Sequence, residues 1–340
     1  MPGPGEACLA PTAGREPKAA RSVRVLVVGG GSWGSAFSAL LAERGHEVTL
    51  ACRDSGQAQA IAATGRNPRY VPEADLSEVV ACSLEEADPA GADLVCLAVP
   101  SRAFREVAEA LPGSAPVLSL TKGLDPVSGG RLSQVVHDRS VAVLSGPTHA
   151  EEIAAGMPAA AVIAGEDEAL ALELQHAIMS PRFRVYVNSD VVGVELCAAA
   201  KNVIGLAAGG VDGLEAGDNA KAALITRGLA EMTRLGLACG ARPETFAGLA
   251  GMGDLIVTCW SRHGRNRRAG ELIARGATPA AAMEEVGMVV EGVHTAPIVR
   301  DLARRLGLEL PITEAVCAVL EGASIHDLVS GLMGRRPKEE

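Results

Sequence analysis

The stretch Val23-Arg24-Val25-Leu26-Val27-Val28-Gly29-Gly30-Gly31-Ser32-Trp33-Gly34 runs from an apolar strand into a glycine-rich turn. The Ala/Leu-rich segment after it (Ala36, Phe37, Ala39, Leu40, Leu41) predicts a helix, and Glu47-Val48-Thr49-Leu50-Ala51-Cys52 predicts a second strand. Strand, turn, helix and strand together have the length of a βαβ unit, about 30 residues. Within it the spacing of Gly29, Gly31 and Gly34 suits a dinucleotide. Gly29 permits the tight turn, Gly31 lets the backbone approach a pyrophosphate, and Gly34 lets the helix pack closely on the strand. The free N–H groups and positive dipole end of the helix then face the phosphates.

Outward from this unit, further short apolar runs follow: Ala92-Asp93-Leu94-Val95-Cys96-Leu97-Ala98-Val99, Ala115-Pro116-Val117-Leu118-Ser119-Leu120 and Val141-Ala142-Val143-Leu144. Runs that are continuous rather than alternating suit a parallel sheet covered on both faces. They end in Val99-Pro100-Ser101, Thr121-Lys122-Gly123 and Ser145-Gly146-Pro147-Thr148. Ligands of open α/β sheets bind beyond the carboxyl ends of strands, so these endings are expected to line one crevice. Ala160-Ala161-Val162-Ile163-Ala164 and Phe183-Arg184-Val185-Tyr186-Val187 are expected to extend the sheet.

From about Asn188 onward, long Ala/Leu segments with helical spacing take over. The expected fold class is therefore an α/β Rossmann-type N-terminal domain with a mostly parallel sheet, followed by an all-α C-terminal domain. The expected division is a disordered tail over 1–22, an NAD(P)-binding domain over 23–188 and a helical substrate-binding and catalytic domain over 189–340.

Composition narrows the class. The chain of 340 residues carries 31 Lys+Arg against 41 Asp+Glu, a net charge of −10, so its surface as a whole repels nucleic acid and anionic membranes. Eight cysteines with no CxxC pair suit reduced, buried thiols of a cytoplasmic protein. The seven histidines are mutually distant and give no metal-ligand spacing, so no metal is expected. The first 22 residues, rich in Pro, Gly and Ala, lack the apolar core of a signal peptide. The most apolar later stretch, 193–214, is interrupted by Glu195, Lys201 and Asp212, which argues against a membrane span.

Lys201 stands inside an otherwise apolar helical pattern, Cys197-Ala198-Ala199-Ala200-Lys201-Asn202-Val203-Ile204-Gly205. One outcome is a side chain snorkelling to solvent at the helix rim. The other is a buried ammonium with a lowered pKa, able to exchange a proton with a carbonyl or alcohol oxygen at neutral pH, as hydride transfer to a ketone requires. Further on, Gly251-Met252-Gly253-Asp254-Leu255-Ile256-Val257-Thr258-Cys259 precedes Gly264-Arg265-Asn266-Arg267-Arg268. Asp254 is a candidate to pair with and orient Lys201. Arg265 and Asn266 are candidates to hold a phosphate through a guanidinium fork and an amide, while Arg267 and Arg268 read as solvated.

Cofactor choice turns on the end of the second strand, where NAD enzymes often carry an acid. Here Arg53 suits a 2′-phosphate and Asp54 suits ribose hydroxyls, so both NADPH/NADP+ and NADH/NAD+ are expected, with NADPH used at least as well as NADH.

Taken together, these stretches resemble the NAD(P)-dependent glycerol-3-phosphate dehydrogenases of the bacterial soluble type. The likeness also takes in Asn67-Pro68-Arg69-Tyr70, Ile225-Thr226-Arg227-Gly228, Val290-Glu291-Gly292 and Pro311-Ile312-Thr313-Glu314, and runs from about Val23 to near Arg336. It implies reversible reduction of dihydroxyacetone phosphate to sn-glycerol 3-phosphate, a precursor of phospholipids, by a cytoplasmic enzyme that is commonly a homodimer. By position it makes Lys201 the proton donor for the ketone and acceptor for the alcohol, and sets Lys122 against both cofactor and substrate. It implies that Gly146, Thr148, Asp254, Gly264, Arg265 and Asn266 line the substrate, and that Ser32, Trp33, Arg53, Tyr70, Ala150, Arg265, Val289 and Glu291 join the glycine turn around the cofactor. Gly264 departs from the usual Ser and leaves only backbone donation there, whereas Thr148 in place of Ser keeps the hydroxyl.

Two rivals remain at this point. A β-hydroxyacid or 6-phosphogluconate type dehydrogenase shares the plan, but Ser32-Trp33 and Arg265-Asn266 argue against it. A silent NADP-sensing module is opposed by the joint presence of Lys122, Lys201 and Asp254.

Overall fold

The computed structural model describes residues 22–326. Apart from Ser22, the expected tail lies outside the described residues, as do the last residues of the chain. Eight strands form one sheet: β1 (Arg24–Val28), β2 (Glu47–Cys52), β3 (Val79–Ser83), β4 (Leu94–Leu97), β5 (Val117–Ser119), β6 (Val141–Ser145), β7 (Ala159–Gly165) and β8 (Phe183–Asn188). Their order is β3-β2-β1-β4-β5-β6-β7-β8. From β3 to β6 all neighbours are parallel, β7 is antiparallel to β6, and β8 is parallel to β7. The strand order reverses between β1 and β4, so a crevice opens there at the carboxyl ends.

The continuous apolar runs are explained by burial on both faces. Val25 and Val27 pack with Phe37, Leu41, Leu50 and Ile61, while Leu26 and Val28 pack on the other face with Val95, Leu97 and Phe104. Phe37 is fully buried, which is worth roughly 1.5–3 kcal/mol. Strand β3 has no counterpart among the expected strands, because at the sheet edge its Val80 is 65% exposed and the apolar run is broken. The reversal at β7 also has a local reason. The chain returns from β6 through the five-residue helix Ala150–Ala154, and an antiparallel neighbour needs no crossover over the sheet.

After β8 the chain is helical. The 23-residue helix Val191–Gly213 begins at Asp190, whose side chain accepts from Gly193 N at 2.9 Å. Helices Gly217–Ala238, Asp254–Trp260, Arg265–Ala274, Glu291–Arg305 and Pro311–Leu320 surround it. A helix apolar on all sides must be buried. By length and composition this one could cross a membrane, the sole such helix among the described residues, yet 89% of its most apolar window is buried in the protein. It is the core of the helical half.

The described cysteines are all free, and five of the seven are buried. Burial pushes the thiols of Cys52 and Cys317 up to about 11, so they stay protonated and inert at neutral pH.

Candidate functional site

Lys201 does not snorkel. It is 5% exposed, and its Nζ donates to Asp254 Oδ1 at 2.5 Å and to Thr258 Oγ1 at 2.8 Å. Asp254 and Thr258 are one turn apart on helix Asp254–Trp260, which puts both on the face that meets Lys201. Burial lowers the Lys201 pKa to about 8, against the opposing pull of the Asp254 charge.

The other carboxylate oxygen, Asp254 Oδ2, accepts from Lys122 Nζ at 2.9 Å. Lys122, just beyond β5, also donates to Gly146 O at 2.9 Å and to Thr148 Oγ1 at 3.2 Å, beyond the end of β6. Burial pushes the Asp254 carboxyl up, but the two ammonium groups outweigh it and hold the group below the usual carboxylate range. Two ammoniums and one carboxylate leave a single positive charge at the crevice, suited to an anionic substrate or a developing alkoxide. His149, half-buried beside this cluster, is lowered to about 4 by burial and by the Lys201 charge, so it is neutral near pH 7.

A chain of amides ties the cluster to the next helix. Asn202 Nδ2 donates to Lys122 O at 3.2 Å, and Asn202 Oδ1 accepts from Asn266 Nδ2 at 3.0 Å. Asn266 Oδ1 accepts from Gly292 N at 2.8 Å. Arg265, at the start of helix Arg265–Ala274, is exposed and reaches Val289 O at 3.4 Å. Gly264 is packed tightly: a Cβ there would stand 2.9 Å from Thr258 O and 3.1 Å from Ser261 O, so a serine requires the loop to shift. Arg267 is not solvated as expected. It bonds Asp212 at 2.7 Å and Glu271 at 3.4 Å, half-buried between helices. Arg268 remains partly exposed and pairs with Glu285.

At the other side of the switch point, Gly29 adopts φ +116° and a Cβ on Gly34 would stand 1.9 Å from Gly29 O, so neither position tolerates a side chain. A Cβ on Gly31 meets nothing within 4 Å, which leaves open space above the turn. Asn67 Nδ2 holds Gly30 O at 3.0 Å and Ser35 Oγ at 2.8 Å, and Gln57 Nε2 donates to the same carbonyl. Trp33 packs on Phe37 and Phe183, with ring centroids 5.3 Å and 6.5 Å away. Ser32 Oγ lies 3.9 Å from Met288 Sδ of the helical half.

Two buried polar atoms here, Trp33 Nε1 and Asn67 Oδ1, find no partner in the described chain. With the space over Gly31, they fit a bound dinucleotide. Asp54 caps helix Ser55–Thr64, its side chain accepting from Gly56 N and Gln57 N, while exposed Arg53 has no partner among the described residues. Tyr70 is half-buried under Arg69, 5.4 Å from its ring. Ala150 is buried at the start of its helix, and Val289 is half-buried. Glu291 accepts from Ser101 N at 3.1 Å and Ser101 Oγ at 2.6 Å, tying the helical half to the end of β4.

The structure thus gathers Lys122, Gly146, Thr148, Lys201 and Asp254 into one bonded cluster, with Asn266 one amide removed. Arg53 and Tyr70 follow β2, on the other flank of the switch point. Thr258, Asn202, Gln57 and Ser101 are additional. Of these, Thr258 carries a sequence signal, its spacing of four from Asp254; Ser101 lies in a strand ending expected to line the crevice and Asn202 adjoins Lys201, while Gln57 is revealed by tertiary contact alone.

A glycine turn at the switch point of a doubly wound sheet, facing a buried lysine on a helical half, defines a dinucleotide-dependent dehydrogenase. The chain belongs to the NAD-dependent glycerol-3-phosphate dehydrogenase family: residues 24–171 match the model of its N-terminus and residues 190–330 that of its C-terminus. It is 46% identical to the glycerol-3-phosphate dehydrogenase (NAD(P)+) of Moorella thermoacetica, over 92% of this chain and 96% of the relative. With the enzyme of the same name from Streptomyces coelicolor, identity is 47% over 94% and 99%. The crystal structure of glycerol-3-phosphate dehydrogenase from Coxiella burnetii superposes with a TM-score of 0.88 at 36% identity, covering 92% of this chain and 99% of that one. This membership sets aside the β-hydroxyacid and 6-phosphogluconate alternatives.

Proposed function

We propose that the chain catalyses the reversible NAD(P)H-dependent reduction of dihydroxyacetone phosphate to sn-glycerol 3-phosphate, supplying glycerophospholipid synthesis in the cytoplasm as a homodimer. Residues 23–188 bind the cofactor and residues 189–340 bring the catalytic helix to it. The observation that carries this is the lysine pair on one carboxylate: Lys201, with its proton poised near pH 8, and Lys122 share Asp254 at the crevice.

The reduced nicotinamide, when bound, supplies the hydride. Gly29, Gly31, Ser32, Trp33 and Gly34 would hold the pyrophosphate and neighbouring groups of the dinucleotide, and Tyr70, Ala150, Val289 and Glu291 would contact its other parts. Lys201 protonates the carbonyl oxygen as it gains charge, and takes the proton back in the reverse direction. Asp254 and Thr258 hold the Lys201 ammonium in position. Lys122, beside Gly146 and Thr148, steadies the substrate oxygen. Arg265, Asn266 and the backbone at Gly264 anchor the phosphate, and that remote binding energy fixes the carbonyl for reaction.

The test follows NADPH absorbance with dihydroxyacetone phosphate, and repeats it with NADH and with unphosphorylated dihydroxyacetone. Oxidation that depends on the phosphate, with loss of both rate and affinity in its absence, is the expected result. Silence in every combination from protein that binds NADPH overturns the proposal.

Cofactor choice is testable separately. Asp54 is committed to capping its helix, which leaves Arg53 free for a 2′-phosphate. Arg53→Ala is expected to lower kcat/KM for NADPH by about 10-fold or more, the worth of a charge-assisted hydrogen bond, and to leave NADH nearly unchanged. Equal losses with both cofactors would remove Arg53 as the discriminator.

A further inference from the structure

In the basic run that opens the helix Arg265–Ala274, one arginine turns inward. Arg267 lies between this helix and the Lys201 helix, its side chain 16% exposed. Its Nη1 donates to Asp212 Oδ2 at 2.7 Å and to Glu271 Oε2 at 3.4 Å, and its Nε donates to Ser261 O at 3.0 Å. One planar guanidinium thus binds the last turn of the Lys201 helix, the next turn of its own helix and the loop that leads to Gly264, Arg265 and Asn266. A lysine in its place keeps the charge but not the fork.

The two helices meet without slack. A Cβ on Gly209 would stand 1.9 Å from Arg267 O, and one on Gly270 2.0 Å from Leu206 O, so backbone lies against backbone. The loop has weaker ties of its own. Ser261 O also accepts from Gly264 N at 3.1 Å, and Ser261 Oγ accepts from His263 N at 3.1 Å, bonds that stay inside the loop. Arg267 Nε is what joins Ser261 to the packed pair of helices. Beside it, Asn266 Nδ2 donates to Asn202 Oδ1 at 3.0 Å, next to Lys201 in the chain. A shift of this loop and helix start therefore changes the separation between the phosphate anchor and the proton donor.

We propose that Arg267 is a positioning residue for the substrate phosphate: from its place between the helices it holds Arg265 and the backbone at Gly264 at a set distance from Lys201. The inference rests on the phosphate-anchoring role given above to Gly264, Arg265 and Asn266, and adds the side chain that fixes them in place. A remote dianion sets a carbonyl against Lys201 only if anchor and acid keep one separation. Misplacement by about 1 Å costs on the order of 10²-fold in rate.

The test compares wild type with Arg267→Ala and Arg267→Lys in kcat/KM for dihydroxyacetone phosphate and for unphosphorylated dihydroxyacetone, and in inhibition by inorganic phosphate with NADH as cofactor. The alanine variant is expected to fold by circular dichroism, because Asp212 keeps Lys221 at 2.8 Å and Glu271 keeps Arg275 at 3.0 Å. Where alanine disturbs the fold, the lysine variant carries the same comparison. The expected result is a loss of about 10²-fold with the phosphorylated substrate, little change without the phosphate, weaker inhibition by phosphate and an unmoved inflection near pH 8. Lysine is expected to regain part of the loss, since the charge stays and the fork does not. Equal losses with both substrates, or a displaced inflection, would show a general packing role and overturn the proposal, as would a variant with wild-type rates and phosphate inhibition. A wild type indifferent to the phosphate overturns the anchor itself, and this inference with it.

Discussion

Lys201→Ala is expected to lower the turnover of dihydroxyacetone phosphate reduction by about 10²–10⁴, the worth of a positioned general acid, while NADPH binding and thermal stability change little. Stability is spared because Asp254 keeps Lys122 as its counter-charge in the variant, at 2.9 Å. The wild-type pH profile carries the same signature. Reduction needs the protonated amine, so its rate falls as pH rises through about 8, whereas oxidation of the alcohol needs the neutral amine and rises over that range. Turnover within a few-fold of wild type in the variant would end the assignment, and NADPH fluorescence titration separates it from a loss of cofactor binding.

Asp254→Asn is expected to be nearly as damaging, for a different reason. The substitution keeps the shape and removes the charge on which both ammoniums rest. Lys201 then loses its main stabilising partner, its pKa falls below about 8, and the fall-off in reduction moves to lower pH. Displacement of the amine by even an ångström costs on the order of 10² in rate. Measuring kcat for reduction from pH 6 to 9 tests both effects. A variant with a wild-type pH profile would show that Asp254 does not set the proton affinity of Lys201.

The parts of this arrangement that were visible in the chain are those fixed by local rules. Gly29 and Gly34 are demanded by a backbone turn and a close helix contact within six residues. Lys201 stands out because a charged group breaks the apolar pattern around it. Asp254 was legible as the one acid beside a basic loop. Arg267 has a local partner in Glu271, one turn on, but its shorter bond is to Asp212, 55 residues away, and that contact, which no local pattern reveals, draws it between helices. Asn67 and Gln57 brace the glycine turn through contacts that only the folded chain creates, and β3 escaped notice because an edge strand needs just one apolar face. Asp54 was ambiguous as a polar residue and became definite once the helix that it caps was in view.

The carboxylate of Asp254 joins Lys122 from the sheet side and Lys201 from the helical side, so the fastening of the two halves and the strength of the acid are one variable. The Lys122 charge and the exclusion of water both lower the proton affinity of Lys201. Loss of the Lys122 charge would remove one of the influences that lower the proton affinity of Lys201 and make the amine a weaker acid. The contact that fastens the sheet side to the helical side is thus also one of the contacts that set how readily Lys201 gives up its proton.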